Sequence, residues 1–322
     1  MRLCDLGLRL EESAVAPRVE RLRDELARRG LRFRPHVWLS VDWFTPDGVP
    51  GLAVPFYLAH RRLVRLERRH MAEVEGGSRD QCLRLLRHET GHAICNAYRL
   101  HRRKRWRAAF GSVATPYRAT YVPKPYSRKY VVNLRNWYAQ SHPLEDFAET
   151  FAVWLQPGTR WRRDYDGWPA LRKLELVDEL MSEIAGRPAL ERSRERPESL
   201  PRMRITLREH YAAKQARYGG DWVTVDVRDL FPLFSNDPAH AKRRSAAAFL
   251  REHRTLLRRR VARLTGQHRY VVDQALDEMI DDCLIAGLRL ARGERETRLD
   301  AAIVLTVRVM NQLHGGYPTY AR

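Results

Sequence analysis

The sequence predicts an α+β fold in two parts. Two segments rich in Val, Phe, Trp and Tyr, at 33–43 and 50–58, flank a Thr-Pro-Asp-Gly turn and predict two strands. Helical periodicity dominates the rest of the sequence. The exception is the stretch at 187–203, which contains three prolines and alternating Arg and Glu. We therefore expect a first domain at 1–186, a solvated linker at 187–203 and a mainly helical, basic second domain at 204–322.

The composition is that of a folded, positively charged protein. Hydrophobic residues make up 44% of the 322 positions, which excludes an intrinsically disordered or collagen-like chain. There are 59 Lys and Arg against 39 Asp and Glu, and the net charge of +20 suits nucleic acid, an anionic surface or acidic substrates. The longest apolar run, at 52–59, contains Pro55 and is too short to span a membrane. No apolar segment precedes Cys4 and the cysteines lack C-x-x-C spacing, so we expect a soluble, cytoplasmic protein with free thiols.

Three helices are predicted in the first part. One has apolar residues at helical spacing between 19 and 26 and ends at Gly30. The next begins at Ser78, which forms a capping-box pattern with Gln81, and continues to about residue 100. The last begins at Pro143, because proline is tolerated in a first helical turn, and stops before residue 157. Beyond the linker, we expect a strand at 222–227 and helices at 237–264, 270–290 and 300–313.

The pentapeptide His88-Glu89-Thr90-Gly91-His92 carries the strongest chemical signal. Residues i and i+4 lie on one face of a helix, so both imidazoles can reach a single ion. Glu89 is then placed beside a water on that ion, which is the H-E-x-x-H arrangement of zinc hydrolases. A chance occurrence of the five residues is the alternative that the motif alone leaves open.

The helix that begins at Pro143 offers two glutamates, Glu145 and Glu149, again at i and i+4. Such acidic pairs are common on solvated helix faces. This one lies in an otherwise apolar segment, 147–154, where a carboxylate needs a buried partner. A histidine bound to zinc is such a partner, because a nearby carboxylate can accept its second N–H and fix its tautomer. Catalytic zinc takes three protein ligands and keeps one position open for water, and this helix offers two candidates for the third ligand.

Two segments together resemble a known family: the pentapeptide and the stretch from Trp137 to Phe151, WYAQSHPLEDFAETF. They look like the bacterial zinc-binding metallopeptidases and are similar to the catalytic core of anthrax lethal factor, a zincin whose third ligand is a glutamate. The resemblance implies a zincin-like catalytic domain that binds one zinc ion. Its implied site residues are the ligands His88, His92 and Glu145, the general base Glu89, the partner of a ligand Glu149, and the phenol Tyr138, which assists the transition state.

The expected function is hydrolysis of a peptide or amide bond by a zinc-activated water. Glu89 is expected to take the proton of the water and pass it to the leaving amine, while Tyr138 stabilises the oxyanion. Alternatives stay open: Tyr138 as an ordinary core aromatic, and His142 either as a second donor or as a helix cap. The strand predicted at 52–58 lies either in the core or at a rim where an extended substrate pairs with it.

A basic cluster follows the motif helix directly, formed by Arg99, Arg102, Arg103, Lys104, Arg105 and Arg107. With its interleaved Trp106 it matches a nucleic-acid patch, a solvated helix end, or a surface that holds an acidic peptide near zinc. The rival function is therefore a non-catalytic protein that binds nucleic acid or another anionic partner and keeps a structural zinc. Glu89 discriminates between the two, because a closed structural site needs no base. A membrane partner is not expected, and the sequence does not indicate an oligomeric state.

Overall fold

The structure is a computed structural model that describes residues 1–118, 120–218, 230–314 and 320–321. Its α-helices are α1 (Ala16–Arg28), α2 (Arg61–Met71), α3 (Arg79–Ala97), α4 (Lys104–Phe110), α5 (Pro143–Leu155), α6 (Trp161–Asp164), α7 (Ala170–Ile184), α8 (Leu207–Tyr218), α9 (Ala246–Thr265), α10 (Arg269–Ile285) and α11 (Glu294–His314). Its strands are β1 (His36–Ser40), β2 (Gly51–Pro55), β3 (Thr120–Tyr121), β4 (Phe234–Ser235), β5 (Arg289–Leu290) and β6 (Tyr320–Ala321). Helices predominate and strands are few in these ranges, in agreement with the predicted α+β class.

The chain forms two compact units. Unit 1 contains residues 1–67 and 74–207, and unit 2 contains 68–73 together with the residues described between 208 and 314. Within the described ranges, no helix combines the length and the apolar character that crossing a bilayer requires.

Strands β1 and β2 form a parallel pair at the centre of unit 1. Their register runs from His36 opposite Gly51 to Ser40 opposite Pro55, and every residue of both strands is buried. Phe44 makes an antiparallel bridge to Ala53, so β2 has a backbone partner on each side. The segment at 52–58 therefore belongs to the core, and the alternative of a free substrate-binding rim is not realised there.

Helices α3 and α5 cross in close contact, and this crossing positions the motif. Ser78 caps α3 as predicted, since its hydroxyl oxygen accepts a hydrogen bond from the Gln81 N–H at 3.2 Å. A Cβ added at Gly91 would lie only 2.7 Å from Ala148 Cα, so the backbones of the two helices approach closely at this point. Gly91 thus has a packing reason to stand inside the motif.

A buried ion pair fixes the other side of α3 against α1. Arg87 donates from Nε and Nη2 to the two carboxylate oxygens of Glu25, at 2.8 and 3.0 Å. Arg21, one turn before Glu25 on α1, donates to the same carboxylate at 3.1 Å. Because a bidentate pair fixes two groups in one relative orientation, it sets the rotation of α3 and hence the face that the motif presents.

The segment at 187–203 has mostly exposed side chains, and its backbone is hydrogen-bonded to unit 1. The Ala97 carbonyl accepts hydrogen bonds from the N–H groups of Leu190 and Glu191, at 2.9 and 3.0 Å. Carbonyls of the segment accept hydrogen bonds from side chains of β1, in the pairs Glu195 with His36, Pro197 with Trp38 and Glu198 with Ser40, at 2.7–2.9 Å. These backbone contacts attach the segment to unit 1, and composition does not reveal them because carbonyls accept whatever their side chains are.

Unit 2 is built mainly from α9, α10 and α11, which pack around apolar residues such as Phe249, Leu276 and Leu305. The helix predicted from residue 237 begins later. Asp237 caps only a short 3-10 turn, accepting from the Ala239 N–H at 2.7 Å, and α9 starts after Ser245. The strand predicted at 222–227 lies outside the described residues.

Candidate metal centre

Three ligand atoms converge at the α3–α5 crossing. Helix α3 presents His88 and His92 from successive turns of one face, and α5 presents Glu145 from its first turn. Glu145 Oε2 lies 3.0 Å from His88 Nε2 and 3.1 Å from His92 Nε2, and the two Nε2 atoms are 3.2 Å apart. The three atoms form a nearly equilateral triangle.

The triangle has the dimensions of one face of a zinc tetrahedron. Zinc with nitrogen and oxygen ligands at about 2.0–2.1 Å separates neighbouring ligand atoms by about 3.3 Å. The observed separations of 3.0–3.2 Å approach that value. The three side chains therefore fit one small divalent ion without rearrangement of either helix.

Glu149 sets the tautomer of His88. Its carboxylate accepts from the Asn133 amide at 2.8 Å and from the Leu134 N–H at 2.7 Å, and it lies 2.8 Å from His88 Nδ1. A carboxylate surrounded by donors is an acceptor, so Nδ1 donates its proton to Glu149, and a metal ion that replaced the proton on Nε2 would leave the Nδ1–H tautomer. This is the tautomer that a metal ligand requires.

The electrostatics of the cluster favour a positive charge at its centre. Burial opposes protonation of His88, but the hydrogen bonds to Glu145 and Glu149 outweigh it and hold the pKa of His88 well above its ordinary value. Burial also opposes ionisation of Glu145, yet His92 and His88 lower the pKa of that carboxyl well below its usual range. A proton placed between these groups binds to only one of the three ligand atoms, whereas a divalent ion can contact His88 Nε2, His92 Nε2 and Glu145 Oε2 together.

Glu89 lies beside the triangle and is buried. The Thr45 hydroxyl donates to Glu89 Oε2 at 2.9 Å and also lies 3.0 Å from the Glu89 main-chain oxygen. Burial raises the pKa of Glu89, against the opposing effect of His88 and His92. The result is a carboxylate that is more basic than an exposed glutamate and has one oxygen fixed by Thr45.

A cavity of about 160 Å³ opens over the three ligand atoms. Glu89 forms part of its wall, and the aromatic residues Trp43, Phe44, Tyr117 and Tyr138 form another part. The site is thus a concave space in which ligand atoms, a carboxylate and phenol groups face the same volume, as catalytic sites require.

Of the two proton donors considered from the sequence, Tyr138 borders the cavity and His142 does not. Tyr138 lies in a 3-10 turn immediately before α5, with its ring centroid 5.7 Å from that of His88. His142 caps α5: its Nδ1 accepts from the Leu144 N–H at 3.2 Å and its Nε2 donates to the Thr115 carbonyl at 2.8 Å. The helix-cap alternative therefore describes His142.

Two further residues of the site are not predicted by the sequence. The Tyr117 hydroxyl lies 3.3 Å from Glu145 Oε1, and its ring stacks on His142 with centroids 3.8 Å apart. Thr45 reaches Glu89 from a turn more than forty residues earlier. Neither has a spacing signal, because each meets its partner only through the tertiary fold.

Three of the six residues in the basic cluster after α3 pair with acids of unit 1. Arg103 contacts Glu183 at 2.7 Å, Arg105 contacts the same carboxylate, and Arg99 lies 3.5 Å from Glu191. No Lys or Arg of the described residues borders the cavity. The basic cluster is therefore not part of the cavity wall, and its role in holding an acidic peptide stays a prediction.

The comparisons with known proteins agree with this site at the level of a family. No curated protein and no solved structure matches the chain significantly. A family model does match part of it, over less than a third of the length, and the matched segment contains all of the predicted site residues. Residues 66–157 match the family described as "Putative zinc-binding metallo-peptidase".

Proposed function

We propose that this protein is a zinc-dependent metallopeptidase that hydrolyses a peptide or amide bond, with Glu89 as general base. The observation that carries the proposal is the triangle of His88, His92 and Glu145 ligand atoms, 3.0–3.2 Å apart, with the Glu89 carboxylate on the wall of the same cavity. Among the described residues, three side chains of the cluster could hold a metal ion, and a zinc site with three protein ligands would keep one position open for water or substrate.

His88, His92 and Glu145 would hold the ion, and Glu149 would keep His88 in its ligating tautomer. A bound zinc ion supplies Lewis-acid chemistry, because it lowers the pKa of water to about 7 and polarises a carbonyl group. Family similarity and the donor set of two imidazoles and a carboxylate both favour zinc.

Glu89 moves the proton in this proposal. Its free oxygen accepts a proton from the attacking water while Thr45 fixes the other oxygen, and Glu89 then donates the proton to the departing amine. Burial raises the pKa of Glu89, and this favours acceptance of the proton from the attacking water.

Tyr138 is the proposed donor to the oxyanion that forms at the carbonyl of the scissile bond. Its ring borders the cavity close to His88, on the turn that leads into α5. Removing one such donor costs about 10²–10³ in rate.

Paired substitutions test the proposal. Glu89→Gln should keep one zinc ion per chain by elemental analysis but lose about 10²–10⁴ in cleavage of a multiplexed peptide library. His92→Ala should lose the ion as well as the activity. Glu175→Gln makes the same chemical change at an exposed position of α7 and should match the wild type in both measurements.

Either of two results would contradict this function: wild-type protein that takes up no zinc, or a Glu89→Gln variant that cleaves as well as the wild type. The rival nucleic-acid binder makes a different prediction, namely association with a fluorescent oligonucleotide that weakens steeply as salt rises. Such binding without cleavage would favour the rival.

A further inference from the structure

We propose that Asp47 makes the cavity selective for a cationic substrate, a peptide with an ammonium or guanidinium group beside the scissile bond. The inference rests on the proposed function, since it assigns a substrate class to the same site. It also runs opposite to the acidic substrate that is one of the partners compatible with the overall charge of the chain.

Asp47 is the carboxylate of the cavity that the proposed reaction does not use. It is exposed at the cavity wall, and no ion pair or hydrogen bond of its side chain to another described residue competes for it. By contrast, Glu145 contacts both motif histidines and Glu89 accepts from Thr45. Asp47 is therefore free to meet a charged group of a ligand.

The charges around the cavity leave one negative charge uncompensated. Its carboxylates are Asp47, Glu89 and Glu145, and no Lys or Arg of the described residues accompanies them. A divalent ion held by neutral histidines cancels two of the three negative charges. Although the whole chain carries a net charge of +20, the cavity attracts cations, because a local field in a cleft decides what enters it.

The histidine that interacts electrostatically with Asp47 does not cancel its charge. Burial, together with Arg102, lowers the pKa of His101, so its imidazole is neutral at physiological pH despite the opposing effect of Asp47. Asp47 consequently remains the charged member of this pair.

The turn that carries Asp47 is fixed to the motif helix. The Val49 N–H donates to the Pro46 carbonyl at 3.1 Å, and Gly48 has a φ of +73°, so 46–49 is a type II turn with Asp47 at its first central position. The side-chain amide of Asn96, one turn beyond His92 on α3, donates to the Pro46 and Val49 carbonyls at 3.0 and 3.1 Å. The backbone at Asp47 is thereby fixed before substrate arrives, which limits where its carboxylate can lie.

The size of the cavity restricts where the cationic group can be. A volume of about 160 Å³ is below the range of about 300–1,000 Å³ typical of sites for drug-sized ligands. It accommodates one side chain or one chain terminus. The two sources of positive charge that fit are a Lys or Arg side chain and the free amino terminus of a short peptide.

Matched peptides distinguish these sources and test the role of Asp47. Each set differs at one residue beside the cleaved bond (Lys, Gln or Glu) and is prepared with a free or an acetylated amino terminus. We expect wild-type kcat/KM to favour Lys over Gln by about three- to tenfold, or the free over the acetylated terminus by the same factor. Asp47→Asn should reduce that ratio to about one, and Asp47→Lys should invert it. Asp24→Asn, the same change at an exposed position of α1, should keep the wild-type ratio.

A binding measurement separates failure of this inference from failure of the proposed function. In Glu89→Gln protein, fluorescence anisotropy should show tighter binding of the preferred cationic peptide than of its neutral partner, and the difference should vanish when Asp47→Asn is added. Cleavage with no charge preference in either assay overturns the role of Asp47 alone. A charge preference in binding with no cleavage by wild type supports Asp47 and overturns the hydrolase.

Discussion

Two pairs of carboxylates in this molecule have the same i, i+4 spacing and different surroundings. On α5, the side chains of Glu145 and Glu149 are 8% and 1% exposed and face the motif histidines. On α10, the side chains of Asp273 and Asp277 are 13% and 45% exposed and share Arg254, which donates to both at 2.5–2.9 Å. Spacing alone places two carboxylates on one helix face in both regions, so the difference lies in what meets them.

The partner determines what each pair can do. Arg254 has only hydrogen-bond donors and a permanent positive charge, so it forms ion pairs with Asp273 and Asp277 without a further ion. A histidine that donates one N–H to Glu149 still presents a lone pair on its other nitrogen. Around Glu145, two imidazole nitrogens converge on one carboxylate oxygen, and the three side chains could hold a metal ion. The α10 pair is a structural contact, and the α5 pair supports a metal centre.

The largest expected difference between the α5 pair and the α10 pair is in zinc affinity, which the substitution Glu145→Gln should abolish or greatly reduce. A neutral amide oxygen is a poor ligand in place of a carboxylate, so zinc affinity should fall by more than about 100-fold, beyond what loss of an outer contact costs. Competition with a chromophoric chelator measures the dissociation constant. Asp277→Asn should leave zinc affinity unchanged and alter the free energy of unfolding by less than about 1 kcal/mol, because its ion pair is half exposed. Equal effects of the two substitutions on zinc affinity would abolish the distinction between the pairs.

Glu149→Gln should have the next largest effect. The variant places an amide N–H₂ among the donors of Asn133 and Leu134, so the ring of His88 loses its fixed tautomer. We expect zinc affinity to fall by about 10–100-fold, less than for Glu145→Gln. Asp273→Asn is the matched change on α10 and should not alter zinc affinity. An effect of Glu149→Gln as large as that of Glu145→Gln would make Glu149 a ligand rather than the support of one.

The sequence predicts what adjacent positions along a helix determine. Ser78 and Pro143 mark the starts of α3 and α5, and the pentapeptide and the glutamate pair identify residues that the fold brings together. Those features depend on spacing within one helix and on the apolar context of a carboxylate, both of which are readable from the chain.

The rest of the site depends on contacts between distant segments. Thr45 reaches Glu89, Tyr117 reaches Glu145, and Asn96 holds the turn of Asp47, each through backbone paths that no periodicity describes. The segment at 187–203 has the exposed, charged side chains that its composition predicts, but composition does not indicate the backbone carbonyls that accept hydrogen bonds from β1. The local sequence pattern predicts the two helices that carry the ligands. The residues that contact and orient the ligands depend on the tertiary fold.

Gly91→Ala tests whether the close crossing of α3 and α5 supports the α5 pair. Alanine favours a helix over glycine by about 1 kcal/mol, but its Cβ would lie 2.7 Å from Ala148 Cα. Because the atom in the way is backbone and cannot move aside easily, the cost of overpacking should exceed the gain in helix propensity. The free energy of unfolding should then fall by about 1–3 kcal/mol, and zinc binding should weaken. Urea denaturation and chelator competition measure the two effects. Gly293→Ala, at a site where an added Cβ has no neighbour within 4 Å, should change neither by a comparable amount. A stabilised Gly91→Ala variant would show that the crossing has room to relax.

The smallest expected effect tests the same principle in unit 2, where His210 is a histidine in surroundings that differ from those of His88. His210 is 7% exposed on α8, and burial, reinforced by Lys214, lowers its pKa from 6.5 to about 4. As pH falls from 6.5 to 4, the unfolded chain therefore takes up a proton that the folded chain does not, so the free energy of unfolding decreases in this window and is insensitive to His210 above it. His210→Asn should remove about 1–3 kcal/mol of the difference in unfolding free energy between pH 7 and pH 4, measured by urea denaturation of both proteins. An identical pH dependence in the variant would mean that burial does not lower the pKa of His210. In that case Glu145 and Glu149 would also have less of a burial effect to overcome in raising the pKa of His88.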